Sequence, residues 1–231
     1  MIKAVGFDIG NTLVRYNNPL NWKSLYKPAI ERVFEACGIA GSEERLRKAA
    51  DVLTKYNTRE NPREREVSSD AIFREIFDSW ELAGDKLELA KETFYGFFQA
   101  DAVCYKDTEE TLRYLRGKNI KIGALTDVAY GMENRFSLRD IEPIRKYFEI
   151  VLTSVDVGFR KPNEAGYMRL LQAFGVSPAE MAYIGDEEKD IAGANRAGIV
   201  SILIDRNGDA PDYGQNYSIR GLSGIRGSGL F

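Results

Sequence analysis

An apolar run from Ile2 to Phe7, interrupted only by Lys3 and Gly6, ends on Asp8 and is followed by Ile9-Gly10-Asn11-Thr12. A short run of this kind, bounded by glycine and small polar residues, predicts a strand buried on both faces, as in parallel sheets. Such a strand delivers Asp8 to the carboxyl edge of its sheet, where open α/β folds bind ligands. There the carboxylate has three possible uses: attacking an electrophile, holding a metal, or capping a turn. After a turn-rich stretch at Asn17-Asn18-Pro19 the period changes. From about Trp22 to about Ala102 apolar residues recur at helical spacing, first as Leu25, Ala29, Val33 and Cys37, then as Leu46, Ala49, Ala50 and Leu53. Two further stripes follow, one through Ile72, Phe73, Ile76, Phe77 and Trp80, the other through Leu87, Phe94 and Phe98. Gly38 reads as a helix stop, and Asp85 with Glu88 as a capping box. Four successive helices with no strand between them predict a bundle inserted into something else.

From Asp107 the rhythm alternates. Asp107 and Glu110 are expected to cap a helix through Leu112 and Leu115. Strands are expected over Ile120 to Leu125, Phe148 to Leu152, Met181 to Ile184 and Ile199 to Ile204. Between them lie helical stretches through Tyr167, Leu170, Leu171 and Phe174, and from Asp190 to Ala197. Asn207 to Phe231 is glycine-rich and weakly patterned, apart from an edge strand at Tyr217 to Ile219. Alternating strands and helices specify a parallel sheet with right-handed crossovers. The expected fold is α/β: a doubly wound parallel-sheet core over residues 1–15 and 104–231, with an all-helical cap inserted at 16–103.

Composition narrows the chemistry. The net charge of -3 predicts no broad basic face, so neither nucleic acid nor a membrane is an expected partner. The two cysteines, Cys37 and Cys104, sit among apolar residues and read as buried thiols. No run approaches membrane-spanning length and nothing resembles a signal peptide, so a cytoplasmic protein is expected, monomeric or homodimeric. Histidine is absent, which excludes Ser-His and Cys-His pairs and histidine metal sites. Any chemistry must therefore use carboxylates, lysine, hydroxyls and backbone.

Asp8, Thr126 and Asp186 each follow or end a predicted strand, and Lys161 lies in the loop after another. In a parallel sheet these ends share one edge, so the four converge. Carboxylates with backbone carbonyls suit a hard divalent cation, above all Mg²⁺. Lys161 would add positive charge and restrain Asp8, and Thr126 with nearby N–H groups would hold phosphate oxygens. Attack of Asp8 on phosphorus would give an aspartyl-phosphate and divide the transfer into two easier steps. The loop from Thr58 to Glu66 reads as solvated, unless Arg59, Arg63 or Arg65 reaches an anionic substrate.

The segments Asp8-Ile9-Gly10-Asn11-Thr12, Thr126-Asp127, Lys161-Pro162-Asn163 and Gly185-Asp186-Glu187-Glu188-Lys189-Asp190 resemble, in order and placement, the four motifs of the haloacid dehalogenase (HAD) superfamily. The helical block resembles the cap of its subfamily I. The resemblance implies a Rossmann-like core and a Mg²⁺-dependent phosphatase acting on a small phosphorylated metabolite. It implies Asp8 as nucleophile, with Thr126 and Lys161 completing the catalytic set and Asn11 and Asp127 joining them in binding substrate. It implies metal held by Asp8, the Gly10 carbonyl and Asp186, with Asp190 as a direct ligand or in support. Phosphatases of the family usually carry aspartate at the position of Gly10, as acid to the leaving group and base to water. That shuttle is worth about 10²–10⁴-fold. Candidate substitutes in this chain are Asp127, Glu187, or a cap residue such as Tyr16 or Glu64. Its loss favours acyl or aryl phosphates. Two alternatives follow: phosphonate cleavage, which needs a cap lysine such as Lys23 or Lys27, and phosphoryl binding without turnover.

Overall fold

The computed structural model describes residues 1–99, 102–209, 211–227 and 229–230. They divide into two compact units. One comprises Met1–Tyr16, Val103–Asp127 and Ile141–Phe231; the other comprises Asn17–Ala102 and Val128–Asp140.

The first unit is built on a parallel sheet. In chain order its strands are β1 (Ala4–Phe7), β4 (Lys121–Thr126), β5 (Ile150–Thr153), β6 (Met181–Gly185), β7 (Val200–Ile204) and β8 (Tyr217–Ile219). Their spatial order is β5-β4-β1-β6-β7-β8, and every neighbouring pair is parallel. Every residue of β1 is buried, as its unbroken apolar run requires of a central strand covered on both faces. Helices α5 (Thr108–Gly117), α7 (Ser154–Val157), α8 (Ala165–Phe174) and α9 (Glu188–Arg196) complete the unit, and helices cover both faces of the sheet. On one face Tyr167, Leu170 and Phe174 of α8 and Ala194 of α9 pack on Ala4, Leu125, Met181 and Tyr183. A separate two-stranded ribbon joins β2 (Val14–Tyr16) to β3 (Ala102–Cys104); the sequence pattern marks neither as a strand.

The expected Asp107 cap is not formed. Its carboxylate instead receives both terminal nitrogens of Arg206 at 3.2 Å and the Leu222 N–H at 2.7 Å, which ties the start of α5 to the C-terminal segment.

The second unit holds α1 (Tyr26–Cys37), α2 (Glu43–Tyr56), α3 (Ser69–Ser79), α4 (Leu87–Gln99) and the short α6 (Asn134–Ser137). The fourth helix ends at Gln99, and the last part of the stretch expected to be helical, 100–101, lies outside the described residues; so do 210, 228 and 231 of the tail. Ser42 and Ser68 cap α2 and α3 by accepting N–H groups three residues on, satisfying donors that the helix cannot. Phe73, Phe94, Tyr95 and Phe98 form a run of edge-on and tilted aromatic contacts at 5.4 to 5.7 Å.

Val128–Asp140, expected with the sheet, belongs to this helical unit for a packing reason. The Tyr26 and Tyr130 hydroxyls are 2.6 Å apart, Tyr95 donates to the Tyr130 carbonyl at 2.9 Å, and the Phe136 ring lies 5.0 Å from that of Tyr95. Glu133 adds an ionic clamp. It accepts from Ser69 at 2.8 Å and from the buried Lys91 at 2.7 Å, and Lys91 also pairs with Asp70 and Glu88 at 2.5 Å. Burial would raise the Glu133 carboxyl, but Lys91, Arg135 and Ser69 bring it down to about 2. Arg63 is likewise structural, donating to the Tyr56 carbonyl and pairing with Glu66 at 3.0 Å. Lys23 and Lys27 are exposed and paired with carboxylates, Lys23 with Glu60 and Lys27 with Glu31 and Glu43. Among the described residues no helix is long and apolar enough to cross a membrane.

Candidate active site

The chain sets β4 and β5 on one side of β1 and β6, β7 and β8 on the other. That reversal opens a crevice at the carboxyl edge of the sheet. Phe7 is level with Ala124 of β4 and Ile184 of β6, and the Asp8 N–H donates to the Ile184 carbonyl at 2.8 Å. Asp8, the end of β4 at Thr126 and Asp186 therefore share one rim. Thr126 is buried there, and Asn11, at φ +53°, begins the turn that leaves Gly10. Asparagine tolerates this left-handed conformation better than most residues.

Lys161 enters from the loop after α7. Its side chain is 2% exposed, and Nζ lies 2.6 Å from Asp8 Oδ1 and 2.6 Å from Asp190 Oδ1. It also donates to the Leu125 carbonyl at 3.3 Å. Asp190 is held in turn, because its Oδ2 accepts the Glu187 N–H at 3.0 Å, with Glu187 as the N-cap of α9. Asp190 thus sits three residues inside its helix, not at the cap, and both of its oxygens already serve neighbours. Its carboxyl packs so closely on Gly185 that a β-carbon there would collide with it, so the residue before Asp186 has to be glycine. Thr12 Oγ1 reaches Asp186 Oδ1 at 3.3 Å.

Asp127 is held by protein partners. Its carboxylate accepts the Lys161 N–H at 3.0 Å and lies 3.4 Å from Lys189 and 3.7 Å from Arg160. It anchors the lysine loop to the end of β4. Arg160, Lys189 and Thr12 are the site residues that sequence reading left without a role. Their signal was position, since the two cations directly precede Lys161 and Asp190.

The electrostatics divide in two. Burial and, against Lys161, the neighbouring Asp190 raise the Asp8 carboxyl to about 6. Burial, Asp8 and Asp190 raise Asp186 to about 8. Burial also works to discharge Lys161, but Asp190 and Asp8 hold it well above the ordinary lysine range. Around Asp127 the balance reverses: burial would raise it, and Arg160, Lys161 and Lys189 hold it below the usual carboxylate range. One oxygen from each of Asp8, Asp186 and Asp190 lies within 4.8 Å of the others. Two buried carboxylates and one half-buried one against one lysine leave an excess of negative charge on an all-oxygen donor set, which fits a hard divalent cation.

A carboxyl whose folded value is raised contributes stability below its ordinary range and loses it as pH climbs through the folded value. Asp8 and Asp186 therefore define a window from about 6 to about 8. Asp127 acts in the opposite sense, but only below 3.8. In chelator, the melting midpoint is expected to fall as pH rises through the upper window. A flat profile by differential scanning fluorimetry would show that these carboxylates do not repel as the geometry requires.

Within the same unit a cavity of about 340 Å³ opens against Asn11 and Asp186, walled by Tyr105, Arg206 and Tyr213.

An acidic carboxyl edge on a doubly wound parallel sheet, with a buried lysine among its carboxylates, defines the class. A family model described as haloacid dehalogenase-like hydrolase matches residues 2–198, and the chain belongs to this family. It is 30% identical over 229 residues to a glyceraldehyde 3-phosphate phosphatase of Methanopyrus kandleri, covering 92% of each chain. Among solved structures it is similar to a HAD phosphatase from Thermococcus onnurineus, with TM-score 0.66, 26% identity, and 98% and 97% of the two chains covered. A 2-haloacid dehalogenase from Pseudomonas syringae superposes with TM-score 0.71 over 98% and 97% of the chains; at 22% identity that likeness speaks for the fold alone.

Proposed function

We propose that this chain is a Mg²⁺-dependent phosphatase that hydrolyses a small phosphate monoester through an aspartyl-phosphate on Asp8. The carrying observation is the Lys161–Asp8 pair at 2.6 Å beside Asp186, on the edge where a parallel sheet binds ligands. Phosphatase-named relatives support the reading.

Lys161 takes Oδ1 of Asp8 and leaves Oδ2 to attack phosphorus. The bond to the leaving oxygen breaks, and water then attacks the phosphorylated carboxylate and frees Asp8. Lys161 steadies the nucleophile and offsets the charge of the phosphate, while the Thr126 hydroxyl and turn N–H groups from Ile9 to Asn11 hold its oxygens. Asp8, Asp186 and the Gly10 carbonyl would hold a divalent cation, which would supply the further positive charge that a dianion needs beside three carboxylates. Asp190 supports that set by fixing Lys161. Phosphonate cleavage through a lysine imine is disfavoured, because Lys23 and Lys27 are exposed and ion-paired.

The test is release of inorganic phosphate from glyceraldehyde 3-phosphate and other small monoesters, with Mg²⁺ and with chelator. Turnover that chelator abolishes and Mg²⁺ restores is expected. Turnover indifferent to chelator would remove the metal from the scheme, and none on any monoester would leave a binding protein.

A further inference from the structure

We propose that Arg206 is a positioning residue for the carboxylate of Asp186, acting through the turn that follows Asp8, an inference that rests on the reading of this rim as a Mg²⁺-binding phosphatase site. The link between the two is Thr12. It is fully buried, and its hydroxyl donates to Asp186 Oδ1 at 3.3 Å. A carboxylate tethered at one oxygen samples fewer orientations, so it loses less freedom when a divalent cation takes it. Outer partners of this kind are worth about 10–100-fold in metal affinity.

A hydroxyl can aim a carboxylate only while its own backbone is held, and here two consecutive carbonyls are gripped from outside the turn. Arg206 Nη2 donates to the Thr12 carbonyl at 2.8 Å. The Leu13 carbonyl accepts the Thr108 hydroxyl at 2.8 Å and the Tyr105 N–H at 3.0 Å.

Arg206 is itself fixed. It stands two residues past β7, whose Leu203 is level with Gly185 of β6, so it leaves the sheet at the edge that carries Asp186. Its two terminal nitrogens reach the two oxygens of Asp107 at 3.2 Å, and its guanidinium carbon lies 3.6 Å from the centre of the Tyr105 ring. Only 17% of the side chain is exposed, so these contacts are shielded from water. A planar guanidinium can serve a carboxylate, a carbonyl and a ring face together because its donors form a rigid fork; an ammonium is a point charge and cannot keep all three. An arginine that merely stapled the C-terminal segment to α5 would need Asp107 and nothing at Thr12. Arg206 also lies beyond residue 198, where the match to the family ends.

The experiment measures Mg²⁺ binding by isothermal titration calorimetry for Arg206→Lys, Thr12→Val and the two together, with the melting midpoint in chelator read beside it. Arg206→Lys keeps a cation against Asp107 and gives up the hold on the Thr12 carbonyl. Thr12→Val keeps the outline of the side chain and removes the hydroxyl. Each single substitution is expected to weaken Mg²⁺ binding by about tenfold. The pair is expected to bind no more than about twofold more weakly than Thr12→Val alone, because without the hydroxyl the brace has nothing to aim. Turnover of p-nitrophenyl phosphate should need correspondingly more Mg²⁺, with kcat at saturating Mg²⁺ within about threefold of the unaltered protein. Losses that multiply in the pair would mean that Arg206 and Thr12 act separately and would overturn the proposal, as would unchanged Mg²⁺ binding in either single variant. Asp107→Asn, which loosens the guanidinium without removing it, is expected to weaken Mg²⁺ binding and to add nothing in the Thr12→Val background; it takes the place of Arg206→Lys should that variant not fold. Failure of the underlying reading looks different, since then the unaltered protein binds no Mg²⁺, and the inference falls with it.

Discussion

Asp8→Asn is expected to lose turnover by about 10⁴-fold or more on every phosphate ester while keeping its fold. The amide has almost the shape of the carboxylate but no charged oxygen to attack phosphorus, so no covalent intermediate forms. Stability is a separate matter. The substitution removes one of three crowded carboxylates, and Lys161 keeps Asp190 at 2.6 Å. The melting midpoint in chelator is therefore expected to hold or rise above about pH 6, where Asp8 carries its charge. Intact-mass measurement after quenching should find the phosphoryl adduct on the unaltered chain and none on the variant. Comparable turnover by Asp8→Asn would dismiss the covalent route.

The second large effect belongs to Lys161. Replacing it by methionine is expected to cost the metal-free protein about 3–5 kcal/mol near pH 8, because two buried carboxylates lose their shared cation. Much of that loss should vanish near pH 5. Without lysine the Asp8 carboxyl shifts further upward, and a raised carboxyl gives back its stability once pH falls below the folded value. The direction separates charge from packing: a hole left by the lysine stem would cost the same at either pH. Urea unfolding at the two pH values checks it. Mg²⁺ should recover part of the stability at high pH but not the activity, since the steadying contact on Oδ1 is gone.

The strand ends of the sheet were legible because burial on both faces writes itself as unbroken apolar runs, and Ile2 to Phe7 is such a run. The meeting of Asp8, Lys161 and Asp186 was legible for the same reason, because parallel strands expose one kind of end at one edge. Roles set by long-range partners were not legible. Asp107 carries a helix-capping pattern, yet its partner Arg206 lies 99 residues away. Asp127 reads as a free carboxylate until Arg160 and Lys189 fold back on it. Tyr130 and Phe136 carry no periodicity of their own, and only the rings of Tyr26 and Tyr95 show where they belong. Asp190 reads from the sequence as a ligand or a support, and only the fold shows that it accepts the Glu187 N–H and lies 2.6 Å from Lys161.

The membership of Val128–Asp140 changes how this protein can be recombined. Grafting the helical unit onto a related core as the single piece 17–102 would leave the Tyr26 hydroxyl, the Tyr95 hydroxyl and the Lys91 ammonium without partners they now use. Any exchange of this chain's helical unit has to carry two stretches of chain. The second begins one residue after Asp127, so the seam falls beside the carboxylate that holds the Lys161 loop.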